Sequence, residues 1–303
     1  MNCNSKLVGT KPENQTDSKN IDNFDFLGTN INEEIIKRCD PIRRLPSYAK
    51  KEILLQTKSN HVYFEIGVGN PILFCPGLFG GIYNILEVFE YFSDKYRMLM
   101  PFFPMYNLPL HKTNIKSLGY YLGEFIDDLN LEDVVIIGSS MGGGIAMIHT
   151  IRDQSKVKAM ILCGSSGISN SPLPTGLFRR KNYENIKIQT KNIFHNKEIP
   201  PDEMIQEIYN LILSYENVIR AIRLTKSVRQ YNMQEEMKEI KTPTLLIWGN
   251  NDPITPPQIG AEFHKLLPNS VLHCLADCGH VPTQERPTEV IDIINGFFQN
   301  NSF

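Results

Sequence analysis

The sequence predicts an α/β protein: a mostly parallel central sheet with helices on both faces and a helical segment inserted late in the sheet. Three observations carry this reading. From about residue 71 onward, short apolar runs alternate with segments of helical periodicity, the rhythm of a parallel sheet covered on both sides. Val134-Val135-Ile136-Ile137 reads as a buried strand, and it runs into Gly138-Ser139-Ser140-Met141-Gly142, a G-x-S-x-G turn before a helical stretch. Strand patterns then stop between Ile168 and Ile240, where only helical patterns occur, and resume at Thr244.

Composition narrows the function classes. The chain has 303 residues, 41% of them hydrophobic, with a formal net charge of −2. That length suits one large domain or two small ones and buries about three quarters of the unfolded surface, so the fold needs no staples. The near-neutral balance carries no basic footprint for nucleic acid or an anionic membrane. No apolar run reaches the ~18 residues of a membrane span. Residues 1–19 are polar and lack a signal-peptide core, so a cytoplasmic protein acting on a small molecule is expected. Of the six cysteines, Cys75, Cys163 and Cys274 lie in or beside apolar strand runs. Cys274 and Cys278 have no matching Cys/His pair at zinc spacing, and Cys3 and Cys39 complete the set. Buried, reduced thiols and no metal are expected.

Each element follows from its local pattern. Residues 1–30 are rich in Asn, Ser, Thr, Asp and Lys and suit a loosely attached, disordered arm, and residues 31–40 a short helix stopped before Pro41. Residues 52–57 and 61–66 form a hairpin across Lys58-Ser59-Asn60. Residues 71–75 are a fully apolar strand that ends in the loop Cys75-Pro76-Gly77-Leu78-Phe79-Gly80-Gly81. A helix over 84–92 puts Ile85, Val88, Phe89 and Phe92 on one face; a strand over 96–100 and a proline- and aromatic-rich loop over 101–109 follow. Leu118, Leu122, Phe125, Ile126 and Leu129 mark a helix over 115–129. After the G-x-S-x-G turn come a helix over 142–152 and a strand over 157–163. Past a Pro/Gly loop and Arg179-Arg180-Lys181, helical patterns occupy 183–194, 202–213 and 216–228. A strand over 244–248, a helix over 256–267, a strand over 271–275 and a helix over 287–299 close the chain. The expected organisation is an arm over 1–30, a first part of the core over 31–167, a helical cap over 168–240 and a second part of the core over 241–303.

The G-x-S-x-G spacing has a chemical reason. A serine at the tip of a tight strand-to-helix turn is strained, and the residues two before and two after it must be small. The Ser140 hydroxyl then stands above the sheet edge, beside the Met141 N–H at a helix N-terminus. A serine hydroxyl needs a base, and that base a carboxylate to fix its tautomer. Of the seven histidines, His280 stands apart. It sits in Asp277-Cys278-Gly279-His280-Val281-Pro282, just after the last strand, where strand C-termini gather. His61, His111, His149, His195, His264 and His273 fall elsewhere in strands, helices or loops. Asp252, in Trp248-Gly249-Asn250-Asn251-Asp252-Pro253, ends the preceding strand on the same edge; its rival Asp277 suits a turn. The N–H groups of Leu78 and Met141 are the expected oxyanion donors. No cofactor or metal is required.

With these residues in place, the chain resembles an α/β-hydrolase-fold serine hydrolase with a helical cap. The resemblance runs from about Lys51 to Phe298 and rests on Gly138-Ser139-Ser140-Met141-Gly142, Trp248-Gly249-Asn250-Asn251-Asp252 and Cys278-Gly279-His280. It is nearest to the esterase and carbon–carbon-bond hydrolase branch. It departs where Pro76-Gly77 replaces the family's usual His-Gly, and where Val281-Pro282 follows the histidine in place of the aromatic residue of many carbon–carbon-bond hydrolases, which counts against that activity. The resemblance implies ester hydrolysis through Ser140, His280 and Asp252. The alternatives are carbon–carbon-bond hydrolysis and a catalytically silent binding protein. Phe79, Phe102, Phe103, Tyr106, Leu173, Leu177, Phe178 and Val281 are the candidates for an apolar substrate pocket, and Arg179-Arg180-Lys181 suits a solvated basic turn, with the holding of a substrate carboxylate or phosphate as the alternative.

Overall fold

The computed structural model describes residues 54–57, 59–168, 182–301 and 303. The expected arm and first helix, together with Leu173, Leu177, Phe178, Arg179, Arg180 and Lys181, lie outside the described residues. The sheet opens with β1 (Leu54–Gln56) and β2 (Val62–Ile66), paired antiparallel as the hairpin pattern requires. It continues through β3 (Asn70–Cys75), β4 (Tyr96–Pro101), β5 (Val134–Ser139), β6 (Val157–Cys163), β7 (Thr244–Gly249) and β8 (Ser270–Leu275). The spatial order is β1-β2-β4-β3-β5-β6-β7-β8; β2 meets β4 antiparallel and every later pairing is parallel. β3 lies between β4 and β5, so the winding direction reverses there. Cys75 pairs with Gly138 across that switch, and the loops leaving β3 and β5 therefore open onto one crevice.

The helices are α1 (Leu86–Phe92, after a 3-10 turn at Ile82–Asn84), α2 (Ile115–Asp128) and α3 (Met141–Arg152). Between β6 and β7 come α4 (Tyr183–Lys191), α5 (Asp202–Leu213), α6 (Tyr215–Gln230) and α7 (Gln234–Met237). The chain closes with α8 (Pro257–Leu266), α9 (Pro282–Glu285) and α10 (Pro287–Asn300). The side-chain alternation of the strands splits the core into two layers. Leu73, Ile136, Leu162 and Leu246 pack with α2, α3, α8 and the helices between β6 and β7. Phe74, Ile137, Ile161 and Ile247 pack with α1 and α10. At the edge, β8 has one neighbour strand, and its Val271, His273 and Cys274 are exposed. This corrects the expectation for Cys274: its strand is apolar but half of it faces water, whereas Cys75, Cys163 and Cys278 are buried.

Candidate active site

The turn between β5 and α3 has the strained form its sequence requires. Ser140 sits at φ 54° and ψ −118°, a region that non-glycine residues rarely occupy. A Cβ on Gly142 would overlap the Cys75 carbonyl, and one on Gly138 would stand 2.5 Å from the Gly143 Cα. The turn is pinned by Ser140 N–H donating to the Cys163 carbonyl (2.9 Å) and by the Ser140 carbonyl accepting from Ser166 N–H (3.0 Å).

His280 Nε2 stands 2.9 Å from Ser140 Oγ, while His280 Nδ1 stands 2.8 and 3.0 Å from the two Asp252 carboxylate oxygens. Asp252 can only accept, so Nδ1 carries the ring proton and Nε2 is left to accept from the serine hydroxyl. Asp252 and His280 are buried, their residues 4% and 6% exposed. Asp252 also accepts from the N–H groups of Ile254 (2.8 Å) and Thr255 (2.9 Å), and its second oxygen lies 2.8 Å from Thr255 Oγ1. Trp248, fully buried, donates its indole N–H to the Thr255 carbonyl at 2.7 Å and so anchors the same loop to β7. Asp277 belongs to a turn, at φ 48°, with His195 Nε2 at 3.7 Å.

Of the two expected oxyanion donors, Leu78 borders the space at Ser140, and Met141 directly follows Ser140 in the chain. Met141 is the first residue of α3, so its N–H has no acceptor within the helix. The Gly77 carbonyl accepts from Gly80 N–H at 3.1 Å, which turns the Leu78 N–H at the other end of that trans peptide away from the loop's own turn. Tyr106 Oη donates to the Leu78 carbonyl at 2.9 Å and fixes the following peptide. Burial pushes the Tyr106 phenol well above its usual range, so it remains a donor.

A cavity of about 120 Å³ opens on this group, lined by Leu78, Phe79, Ile193, Met204, Ile208, Ile254 and Val281 around Ser140 and His280. Phe79 and Val281 thus line it as expected. Phe103 does not: it is buried 5.6 Å from the Tyr121 ring and, with Phe102 and Tyr106, borders a separate space of about 30 Å³ behind Leu78. Within the 101–109 loop, Phe103, Met105 and Tyr106 join the core layer that includes α2, while Phe102 packs against the opposite layer. Sequence reasoning missed Thr255, which Asp-x-x-Thr after a strand would have signalled as an Asx turn. It also missed Ile193, Met204 and Ile208, whose facing is set by how the inserted helices seat. A third omission is Glu285, buried on the far side of the His280 loop, which accepts from the N–H groups of His195 (2.7 Å), Gly279 (2.9 Å) and Val281 (3.4 Å).

Comparison with known proteins agrees with this architecture. Residues 108–293 match the family described as the alpha/beta hydrolase family. The chain belongs to the alpha/beta hydrolase family. An uncharacterized hydrolase of Bacillus subtilis is 27% identical over 79% of this chain and 94% of its own length. A 2-hydroxy-6-oxononadienedioate/2-hydroxy-6-oxononatrienedioate hydrolase of Pseudomonas putida is 28% identical over 63% of this chain and 69% of its own. Among solved structures, an alpha/beta hydrolase enzyme from a sediment metagenome of the Mar Chica lagoon, Morocco, is 31% identical. It covers 82% of this chain and 99% of its own, with a TM-score of 0.67. No described helix of this alpha/beta hydrolase is long and apolar enough to cross a membrane.

Proposed function

We propose that this alpha/beta hydrolase cleaves carboxylic esters with small or medium uncharged acyl groups through an acyl-enzyme on Ser140. The observation that carries the reading is the 2.9 Å approach of His280 Nε2 to Ser140 Oγ on the floor of an apolar cavity. Ser140 Oγ attacks the ester carbonyl carbon and His280 takes its proton; Leu78 and Met141 N–H groups receive the oxyanion. His280 then gives that proton to the leaving alkoxide. Water, deprotonated by the same nitrogen, attacks the acyl carbon, and His280 returns the proton to Ser140 Oγ as the acyl–serine bond breaks and the acid leaves. Asp252 holds the ring and balances the imidazolium. The insertion between β6 and β7, expected as a cap over 168–240, supplies Ile193, Met204 and Ile208 to the acyl side. A volume of about 120 Å³ is somewhat below the ~150 Å³ dry cavity that accepts benzene, which supports short acyl chains.

A second reading, carbon–carbon-bond hydrolysis, draws on the name of the Pseudomonas putida relative. Such a dienedioate carries two carboxylates, and among the described residues the cavity lining offers no lysine or arginine to meet them. The ester reading is preferred because the described lining around Ser140 is largely apolar. The test is p-nitrophenyl butyrate hydrolysis with fluorophosphonate labelling. The wild-type chain is expected to be labelled at Ser140, and Ser140→Ala to lose labelling and at least ~10³ of kcat. Retained hydrolysis in that variant, or turnover of a dienedioate but no ester, overturns the reading.

A further inference from the structure

We propose that Glu285 is a positioning residue: one buried carboxylate fixes the loop that carries His280 and ties it to the chain segment after α4, so His280 is aligned when that segment is seated over the cavity. This rests on the reading of His280 as the base. The residues lie on opposite sides of the loop. α9 starts at Pro282, directly after the loop, and its single turn brings Glu285 back underneath, with Glu285 N–H donating to the Val281 carbonyl at 2.9 Å. Glu285 Oε1 accepts from Gly279 N–H at 2.9 Å and Val281 N–H at 3.4 Å. Between them, His280 N–H donates to the Ile193 carbonyl at 2.9 Å. Three consecutive backbone N–H groups are thereby held, two by the carboxylate and one by the inserted segment. The other oxygen, Oε2, accepts from His195 N–H at 2.7 Å and closes the link. The approach is close enough to demand glycine: a Cβ on Gly279 would stand 2.5 Å from the Ile193 oxygen and 2.7 Å from the His195 nitrogen.

The chemistry needs a carboxylate. A buried anion is costly unless its lone pairs are filled, and here backbone N–H groups fill both oxygens. Glutamine has one carbonyl oxygen and an NH₂ that would face an N–H donor, so either orientation of the amide breaks the bridge, and loop and segment each lose the neighbour that holds them in place. Ile193 also lines the cavity. An acyl group that packs against Ile193 therefore acts on the same strap that aligns the histidine.

The test uses the full chain and two readouts. Hydrogen exchange is followed by mass spectrometry over residues 190–198 and 276–286, and p-nitrophenyl butyrate turnover is measured with fluorophosphonate labelling. In Glu285→Gln, exchange is expected to rise about tenfold or more in both segments together. kcat and the labelling rate are expected to fall about 30-fold, with KM within about threefold. A merely structural glutamate would lower activity in proportion to the folded fraction and leave kcat of the folded protein intact. Loss of protection in one segment alone, or kcat within about threefold of wild type in a folded variant, overturns the proposal. If the variant does not fold, the wild type decides: butylboronic acid, which bonds to Ser140, is expected to slow exchange in both segments, and slowing confined to one overturns it. A wild type that labels at Ser140 with no dependence on Glu285 defeats this inference alone. A wild type that never labels defeats the ester reading, and the exchange experiment in Glu285→Gln still decides the strap.

Discussion

Asp252 meets His280 Nδ1 and three groups of its own loop: the N–H groups of Ile254 and Thr255 and the Thr255 hydroxyl. A carboxylate so held presents a fixed oxygen to the imidazole. Asp252→Asn would replace one acceptor by an NH₂ and favour the wrong histidine tautomer. A fall in kcat of about 10³–10⁴ is expected for ester turnover, with KM little changed. Thr255→Val removes one donor and leaves the backbone pair, so steady-state kinetics should register a loss of about tenfold. Much of this arrangement is legible in the chain, because Ser140, Asp252 and His280 each follow an apolar strand in a turn of recognisable composition. Thr255 and Glu285 were not, since each acts by holding a loop and carries no motif of its own. Phe103 illustrates the converse: sequence names an aromatic residue in a loop near the site, but only packing decides that its ring turns toward Tyr121.

At the scale of elements, β3, β5 and α3 meet at the Gly142–Cys75 contact. The closeness of that contact sets where the N-terminus of α3 points. Gly142→Ala would push the helix away from the β3 carbonyl. Urea unfolding is expected to show a loss of about 2–3 kcal/mol, with activity falling further than stability because the Met141 N–H moves with the helix. The long elements, strands and helices alike, follow the sequence pattern to within a few residues at their ends. The four-residue helices α7 and α9 left no periodic signal, one turn being too short to show a period of 3.6. The 3-10 turn at Ile82–Asn84 displaced the start of α1 for a similar local reason, the Asn84 side chain accepting from Gly81 N–H at 2.9 Å.

For the whole molecule, one buried histidine and one partly exposed carboxylate set how stability responds to acid. His149, on α3 against α2, is 4% exposed, and among the described residues neither ring nitrogen has a hydrogen-bond partner. Burial holds its pKa below the usual 6.5, with Asp153 and Asp127 opposing and Arg152 and Lys156 reinforcing the shift. The unfolded chain therefore binds a proton first, and stability falls as pH drops below about 6.5. The urea midpoint is expected to fall between pH 7.5 and 5.5, and to fall less in His149→Leu. Asp128 does not disturb that window. Burial opposes its ionisation, but hydrogen bonds from Ser59, Thr57 and His61 outweigh it and lower the pKa from 3.8 to about 2. Its contribution is complete above 3.8 and lost as pH falls through about 2. The insertion between β6 and β7 has one more consequence, in the order of synthesis. β6 is buried along nearly its whole length, and its partner β7 is translated about 80 residues later. At ordinary elongation rates of 5–20 residues per second, roughly 4–16 s pass in which a sheet of six of its eight strands keeps a bare apolar edge. A nascent chain of this architecture is most in need of a chaperone while the ribosome is decoding the helices whose residues line its cavity.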